Sequence, residues 1–298
     1  MCVTCGCGEG ETSISLVGDG HAHAHEHPHV HSHADGTTHS HAAEHAHSHD
    51  HLHPHDHRHD HGHEHAHAQA LHVPGRDAQT IALEAAVLGK NQALAERNRG
   101  WLAGRGVLAL NLMSSPGAGK TTLLERCIRD LHGQVGISVV EGDQATANDA
   151  ERIRATGAAA VQVNTGTGCH LEADMLARAL DLLQPAAGSL LVIENVGNLV
   201  CPALFDLGEK ARVVIFSVTE GEDKPLKYPH MFSSADVLLL SKIDLLPHLR
   251  VNLALMLENA LTVNPRLKIF PVSAYTGEGL DAWYGWLRGE LKAWAVAA

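Results

Sequence analysis

Aromatic side chains are scarce in this chain: four Phe, four Trp and three Tyr among 298 residues. A folded core therefore has to be filled largely by Ala, Leu and Val. No apolar run reaches the ~18 residues that a membrane-crossing helix needs, and the opening residues MCVTCGCGEGE lack the apolar centre of a secretory signal. The expectation is a cytoplasmic protein without membrane association. Basic residues are few as well. Residues 1–78 hold 11 Asp or Glu against 2 Arg, while residues 79–298 hold 23 acids against 20 bases. The part able to fold is thus close to neutral, which argues against a nucleic-acid partner. Cysteine is limited to six, with Cys2, Cys5 and Cys7 clustered and Cys127, Cys169 and Cys201 far apart. In a reducing compartment such a cluster points to metal before disulfide.

Histidine is the residue in excess. Of 26 histidines, 22 lie between His21 and His72, and from Ser48 to Ala68 they occupy every second position. The run is interrupted by Asp, Glu, Pro, Leu and Gly and preceded by looser versions of itself, unlike an engineered tag. It has no apolar periodicity from which a core could form, so it is expected to be disordered without metal. Neutral imidazoles are good metal donors, and the interspersed carboxylates lower repulsion among bound cations. That reads as a weak, many-sited metal store; a solvated coil without metal is the competing account. Composition divides the chain into a cysteine-rich metal-binding head (1–20), a His-rich low-complexity metal-binding tract (21–78) and a third part (79–298) long enough for one α/β domain.

The third part begins with a helical pattern, Ile81, Leu83, Val87, Leu88 and Leu94, ending around residues 100–106. Seven apolar runs follow: GVLALNLM, ISVVEGD, AAVQVN, SLLVIEN, ARVVIFSV, DVLLLSK and LKIFPVS. Strands apolar on both faces and alternating with amphipathic stretches imply a mostly parallel sheet covered by helices on both faces. After the first strand comes SSPGAGKTT, residues 114–122. It matches the phosphate-loop pattern at Gly119, Lys120 and Thr121, with Ser114 in place of the first glycine. Backbone N–H groups from Gly117 through Ala118 and Gly119 to Thr122 can wrap phosphates, Lys120 reaches the terminal ones, and the Thr121 hydroxyl suits Mg2+. The fold class expected is therefore a P-loop NTPase.

SKID, ending the strand DVLLL, is similar to the N-K-x-D box of GTPases: Asp244 can pair with guanine, and Lys242 can lay its methylenes along the base. Ser241 departs from the usual Asn. Surface residues closing a strand are the alternative. VSAYTG follows the next strand, so Ser273 and Ala274 would back the base, which favours GTP over ATP. Asp143 of EGDQ and Glu194 of VIENVGN end their strands and can hold Mg2+ directly or through water; an N-cap for the TANDAERI helix is the structural alternative for Asp143. Gly197 would bring its N–H toward the γ-phosphate. Asn198 stands where some GTPases place the glutamine that orients water, so slow intrinsic hydrolysis is expected.

Cys127 lies inside the apolar face of a helix and reads as a core residue. Cys169 with His170, and Cys201, lie in loops at the catalytic edge and read as ligands. Three thiolates at Cys2, Cys5 and Cys7 can wrap one ion, as Ni(II) or Cu(II) in square-planar coordination or Zn(II) in tetrahedral.

CxxCGC, the His tract, SSPGAGKTT, TGTGCH, ENVGNLVCP and SKID, in this order, resemble the HypB family, nickel-insertion GTPases of NiFe-hydrogenase maturation, over essentially the whole chain. The resemblance implies a homodimer with a metal site at its interface built from Cys169, His170 and Cys201, for Ni2+ or alternatively Zn2+. It also implies a high-affinity nickel site at Cys2, Cys5 and Cys7, and as partners a HypA-type metallochaperone and the hydrogenase large subunit. EGEDKPLKYP matches too, and Lys224 is implied to approach nucleotide across the dimer; by itself the stretch reads as a solvated charge cluster. Competing readings are a urease-type nickel-delivery GTPase, a nickel buffer with a regulatory nucleotide domain, and a partition-type ATPase, against which Asp244 argues.

Overall fold

The computed structural model describes residues 13–16, 30–32, 38–40, 78–143, 148–166 and 168–297. The expectations placed on Cys2, Cys5 and Cys7 and on most of the His tract lie outside these residues. The first strand, β1 (Ser13–Leu16), belongs with residues 76–298. Residues 20–75 form a separate unit in which β2 (Val30–Ser32) pairs antiparallel with β3 (Thr38–Ser40), His31 opposite His39.

The larger unit continues with α1 (Ala78–Ala103), β4 (Leu108–Ser114), α2 (Lys120–Asp130), β5 (Ile137–Asp143), α3 (Asn148–Arg154) and β6 (Ala159–Asn164). Then come α4 (Ala173–Leu183), β7 (Leu190–Glu194), α5 (Cys201–Leu204), β8 (Ala211–Ser217), α6 (Lys224–Lys227), α7 (Pro229–Ser233) and β9 (Val237–Ser241). A 3-10 turn (Ile243–His248), α8 (Leu253–Val263), β10 (Lys268–Pro271) and α9 (Leu280–Ala297) complete it. All seven apolar runs of the sequence are strands. Together with β1 they make one eight-stranded sheet in the order β1-β6-β5-β7-β4-β8-β9-β10, parallel throughout except for β1, which runs antiparallel to β6.

Alternation within β4 shows why these runs are apolar throughout. Leu108, Leu110 and Leu112 face a core shared with Leu123, Leu124, Cys127 and Ile128 of α2 and Trp283 and Leu287 of α9. Ala109 packs on the other face with Leu102 of α1 and Leu176 and Leu180 of α4. Met113 joins Phe232 of α7 and Met256 of α8 on a third cluster. A strand covered on both sides has no position that water selects as polar. The few aromatics are concentrated where α9 meets the sheet. Trp283 and Trp286 stack with centroids 5.1 Å apart, Phe270 meets Trp283 edge-on at 5.9 Å, and Trp294 Nε1 donates to Val107 O at 3.0 Å.

Strand β1 lies within residues 1–20, the cysteine-rich head by composition, and pairs with β6 of the α/β part. Its four residues alternate polar and apolar, and Ile14 is half-buried against the α4 core. So short an edge strand leaves little periodicity to detect in sequence. Among the described residues no helix is long and apolar enough to cross a membrane.

Candidate nucleotide and metal site

The carboxyl ends of the parallel strands converge, and Ser114, Asp143, Glu194 and Ser241 are all terminal strand residues. In an open α/β sheet the crevice lies at this edge. A cleft of about 570 Å3 opens there, lined by residues of the phosphate loop with Glu141, Asp143, Glu194, Gly197 and Lys242. Ser114 still belongs to strand β4, so extended backbone suffices where the usual pattern has its first glycine. The two glycines that remain are needed: Gly117 has φ +74° and Gly119 φ +94°, values an L side chain rarely adopts.

Lys120 Nζ donates to Glu194 Oε1 at 2.9 Å, and Thr121 Oγ1 donates to the same oxygen at 2.6 Å. Glu194 pairs in register with Leu112 of β4, which brings the three groups together. Gly197 abuts the loop so closely that a Cβ there would meet Pro116 backbone at 3.3 Å. Thr122 Oγ1 accepts from Arg152 Nη2 at 3.1 Å, tying the start of α2 to α3.

Glu141 is a residue the motif search passed over. It is 3% exposed and lies opposite Glu194 in the β5–β7 register. Burial, then the neighbouring Glu194 and Asp143 carboxylates, pushes its carboxyl up to about 8. Among the described residues, Glu141 Oε2 and Glu194 Oε2 are buried and have no hydrogen-bond donor. Buried carboxyl groups beside a threonine hydroxyl fit a hydrated Mg2+, whose waters would satisfy these oxygens. The signal was in the sequence: Glu141 is two residues before Asp143, hence on the same face of a strand.

At the base end, Ser241 Oγ donates to Ala118 O at 2.8 Å, and Lys242 Nζ donates to Gly117 O at 2.7 Å. Ser241 therefore ties the SKID segment to the phosphate loop. Lys242 has φ +62°, an uncommon backbone state that lets its stem run along the loop. Ser273 is fully buried, and its hydroxyl donates to Asp244 Oδ1 at 2.5 Å, fixing that carboxylate. Ala274 O accepts from Arg126 Nη1 at 3.2 Å, which holds its loop over α2. Lys224 is not brought into this cleft. Its Nζ lies 3.6 Å from Glu220 Oε2 and 5.1 Å from the centre of the Tyr228 ring. The same Glu220 oxygen accepts from Ser115 Oγ of the phosphate loop, a contact no sequence motif announced.

The second constellation lies on the segments after β6 and β7. Cys169, His170 and Cys201 are 8%, 5% and 3% exposed, and their donor atoms all lie within 4.8 Å of one another. Cys169 Sγ is 2.8 Å from Cys201 Sγ and 3.6 Å from His170 Nδ1. Phe205 stacks on the imidazole with ring centres 3.9 Å apart, and Glu172 Oε1 lies 3.7 Å from His170 Nε2. Helix α1 frames both segments: Asn91 accepts from Ala173 N at 2.9 Å and donates to Asp206 O at 2.7 Å. Two thiols and one imidazole nitrogen are a soft donor set suited to Ni(II) or Zn(II). Cys127 is elsewhere, buried in the core under α2.

Comparison with known proteins agrees with this anatomy. The family described as CobW/HypB/UreG, nucleotide-binding domain, matches residues 108–271. Hydrogenase maturation factor HypB of Rhizobium leguminosarum bv. viciae is 59% identical over 218 residues, 73% of either chain. The crystal structure of hydrogenase maturation factor HypB from Archaeoglobus fulgidus superposes with a TM-score of 0.64 at 41% identity, covering 68% of this chain and 99% of that one. HypB from Helicobacter pylori in complex with nickel gives 0.65 at 38% identity, over 68% and 96%. With a phosphate loop, a strand-end carboxylate against it and a Cys–His–Cys cluster on the same sheet edge, this chain belongs to the HypB family.

Proposed function

We propose that this chain is a GTP-hydrolysing nickel metallochaperone that stores nickel and delivers it for assembly of the NiFe-hydrogenase active site. The observation that carries this reading is the convergence of Cys169, His170 and Cys201 on segments that follow β6 and β7, at the sheet edge where the nucleotide cleft opens. The relatives' roles in hydrogenase maturation, and the nickel in the Helicobacter pylori HypB structure, support it.

In this proposal Lys120 and the N–H groups of residues 117–122 bind the phosphates, and Thr121, Asp143 and Glu194 would hold Mg2+, directly or through water. Mg2+ supplies charge neutralisation for phosphoryl transfer. Asp244, oriented by Ser273, recognises guanine, with Lys242 along the base and Ala274 behind it. Gly197 turns its N–H to the γ-phosphate. Asn198 stands where some GTPases have the water-orienting glutamine, and its Oδ1 accepts from Val200 N at 2.7 Å within its own loop, so intrinsic turnover is slow. The protein works as a homodimer, Lys224 reaching the partner's nucleotide. Ni2+ or Zn2+ occupies Cys169, His170 and Cys201, Cys2, Cys5 and Cys7 hold nickel most tightly, and the histidines form a reserve. A HypA-type metallochaperone and the hydrogenase large subunit are its partners, in the cytoplasm. GTP and Mg2+ draw the 194–197 loop toward the γ-phosphate, and because Cys201 rides on that loop its geometry toward metal changes; hydrolysis releases the loop and alters metal affinity.

The test is nickel titration of the full-length chain with Cys2, Cys5 and Cys7 each replaced by Ser, in GDP and in a non-hydrolysable GTP analogue. Different affinities in the two states are expected; equal affinities sink the coupling. A second measurement separates the parts. The same triple replacement abolishes the tightest nickel binding and leaves GTP turnover intact, whereas Lys120→Ala lowers turnover by about a hundredfold or more and leaves the tightest nickel site. Loss of metal-free hydrolysis on replacing the three head cysteines contradicts the division.

A further inference from the structure

On the guanine-nucleotide reading, Lys120 and Thr121 serve the outer phosphates and their cation, and Asp244 with Ser273 serves the base. The middle of the nucleotide has no side chain assigned to it. Helix α2 runs past both ends. Thr122 follows Thr121 in its first turn, and four residues on Arg126 Nη1 donates to Ala274 O at 3.2 Å, holding the base loop over the same helix. In a phosphate loop the lysine reaches the outer phosphates while the residues beside it cradle the inner ones. The α-phosphate therefore passes by Thr122, between Lys120 and the base loop.

Arg152 of α3 stands beside that position and lines the cleft together with Thr122 and Asp149. Its Nη2 donates to Thr122 Oγ1 at 3.1 Å, its Nε to Glu125 Oε1 at 2.8 Å and its Nη1 to Asp149 Oδ1 at 3.0 Å. A guanidinium carries five N–H groups in a planar fork, so these three bonds leave one on each Nη for another acceptor. Those two N–H groups are the pair that a phosphate or carboxylate takes side by side.

A clamp between α2 and α3 is the plain alternative, and two observations go beyond it. The Arg152 side chain is 43% exposed, whereas Glu125, which holds its Nε, is buried. A fixed carboxylate behind a half-exposed guanidinium leaves the fork facing the open cleft. The second observation is charge. Among the described residues the cleft is lined by four carboxyl groups, Glu141, Asp143, Asp149 and Glu194, against Lys120, Arg152 and Lys242. Lys120 is bonded to Glu194 and Lys242 to Gly117 O, so a phosphate arriving at Thr122 meets Asp149 and needs the cation next to it. Asp149 is partly exposed and can turn to water as phosphate takes its place on Nη1.

We propose that Arg152 is a nucleotide-binding residue that holds the α-phosphate, exchanging Asp149 for it while Glu125 keeps the guanidinium in place. This rests on the GTP reading put forward above and deepens it. The α-phosphate is common to GTP and GDP and is untouched by hydrolysis, so Arg152 binds substrate and product alike. Such uniform binding lowers KM and leaves kcat where it is. Arg152 is thereby distinguished from an arginine that neutralises charge on the transferring γ-phosphate, which acts on kcat.

The test is equilibrium binding of GDP and of a non-hydrolysable GTP analogue, each with Mg2+, to the full-length protein, beside steady-state GTP turnover. Arg152→Gln is expected to weaken both nucleotides by the same factor, about tenfold, with the loss in turnover appearing in KM and not in kcat. Arg152→Lys, which keeps the charge without the fork, recovers part of it. The two α-thio diastereomers of GDP, with sulfur in place of one or the other non-bridging α-oxygen, localise the contact: the ratio of their affinities changes by about threefold or more in Arg152→Gln. A loss confined to the GTP analogue or to kcat places Arg152 at the γ-phosphate and overturns the assignment. So does a diastereomer ratio equal to that of the wild type, and with a lowered melting temperature of the nucleotide-free variant it marks a clamp only. If the wild type binds GDP and Arg152→Gln binds it equally well, the assignment fails and the GTP reading stands; if the wild type binds neither guanine nucleotide, both fail.

Discussion

Glu141 carries its carboxyl in a nearly closed pocket of like charge, raised from 4.5 to about 8 by burial first and by Glu194 and Asp143 next. In the folded protein it keeps its proton where the unfolded chain has already lost it. The stability it allows is therefore complete below about pH 4.5 and is lost as pH rises toward 8. Thermal unfolding of the nucleotide-free protein is expected to show a melting temperature that falls across this window, with a smaller fall in Glu141→Gln. An identical slope in the variant assigns the effect elsewhere. Cys127 makes the opposite point about reactivity. Burial pushes its thiol up to about 11, so at pH 8 it stays protonated, and it resists alkylation until the protein is unfolded. Its helix face was readable as core from the flanking leucines. Glu141 was passed over because no motif contains it, although its two-residue spacing from Asp143 already put both on one face of the strand.

Elements depend on a few large contacts because the chain has few large side chains. Trp283 is 3% exposed and joins α9 to Phe270 of β10 and to Trp286 one turn on. Trp283→Ala is expected to cost about 3–5 kcal/mol, read as a lower urea midpoint with an unchanged slope. A loss below about 1 kcal/mol would mean that α9 is held by its other contacts. The seven apolar strands were legible because most are covered on both faces; β10, at the edge of the sheet, is only partly buried. Strand β1 was not, since one half-buried isoleucine gives its four residues no period to detect. Helix α5 was hidden for another reason: its proline at the second position and its hold on Arg212 set a short turn that propensity does not foretell.

For the whole molecule, the phosphate loop, the SKID segment and the thiol–imidazole cluster share one sheet edge, so ligand binding bears on the stability of the entire larger unit. A guanine nucleotide present at a hundredfold its Kd is expected to add about 2.7 kcal/mol to unfolding. Calorimetry or thermal shift with GDP checks this, and ATP at the same concentration is expected to leave the transition where it was. A comparable shift with ATP would remove Asp244 as the discriminating group.

The order of strands, the phosphate loop and the residue types able to hold nucleotide and soft metal were determined by the sequence alone. Each is a local pattern: an apolar run, a glycine beside a lysine, a cysteine next to a histidine. Tertiary structure decided which of them meet. Cys169 and Cys201 lie 32 residues apart in the chain, and nothing in either segment states that their sulfurs come to 2.8 Å. They meet because β6 and β7 flank β5 in a parallel sheet, which sends both following segments over the same edge. Buried amides such as Asn195 then found partners there, since a polar group taken out of water must bond to whatever the fold brings near it.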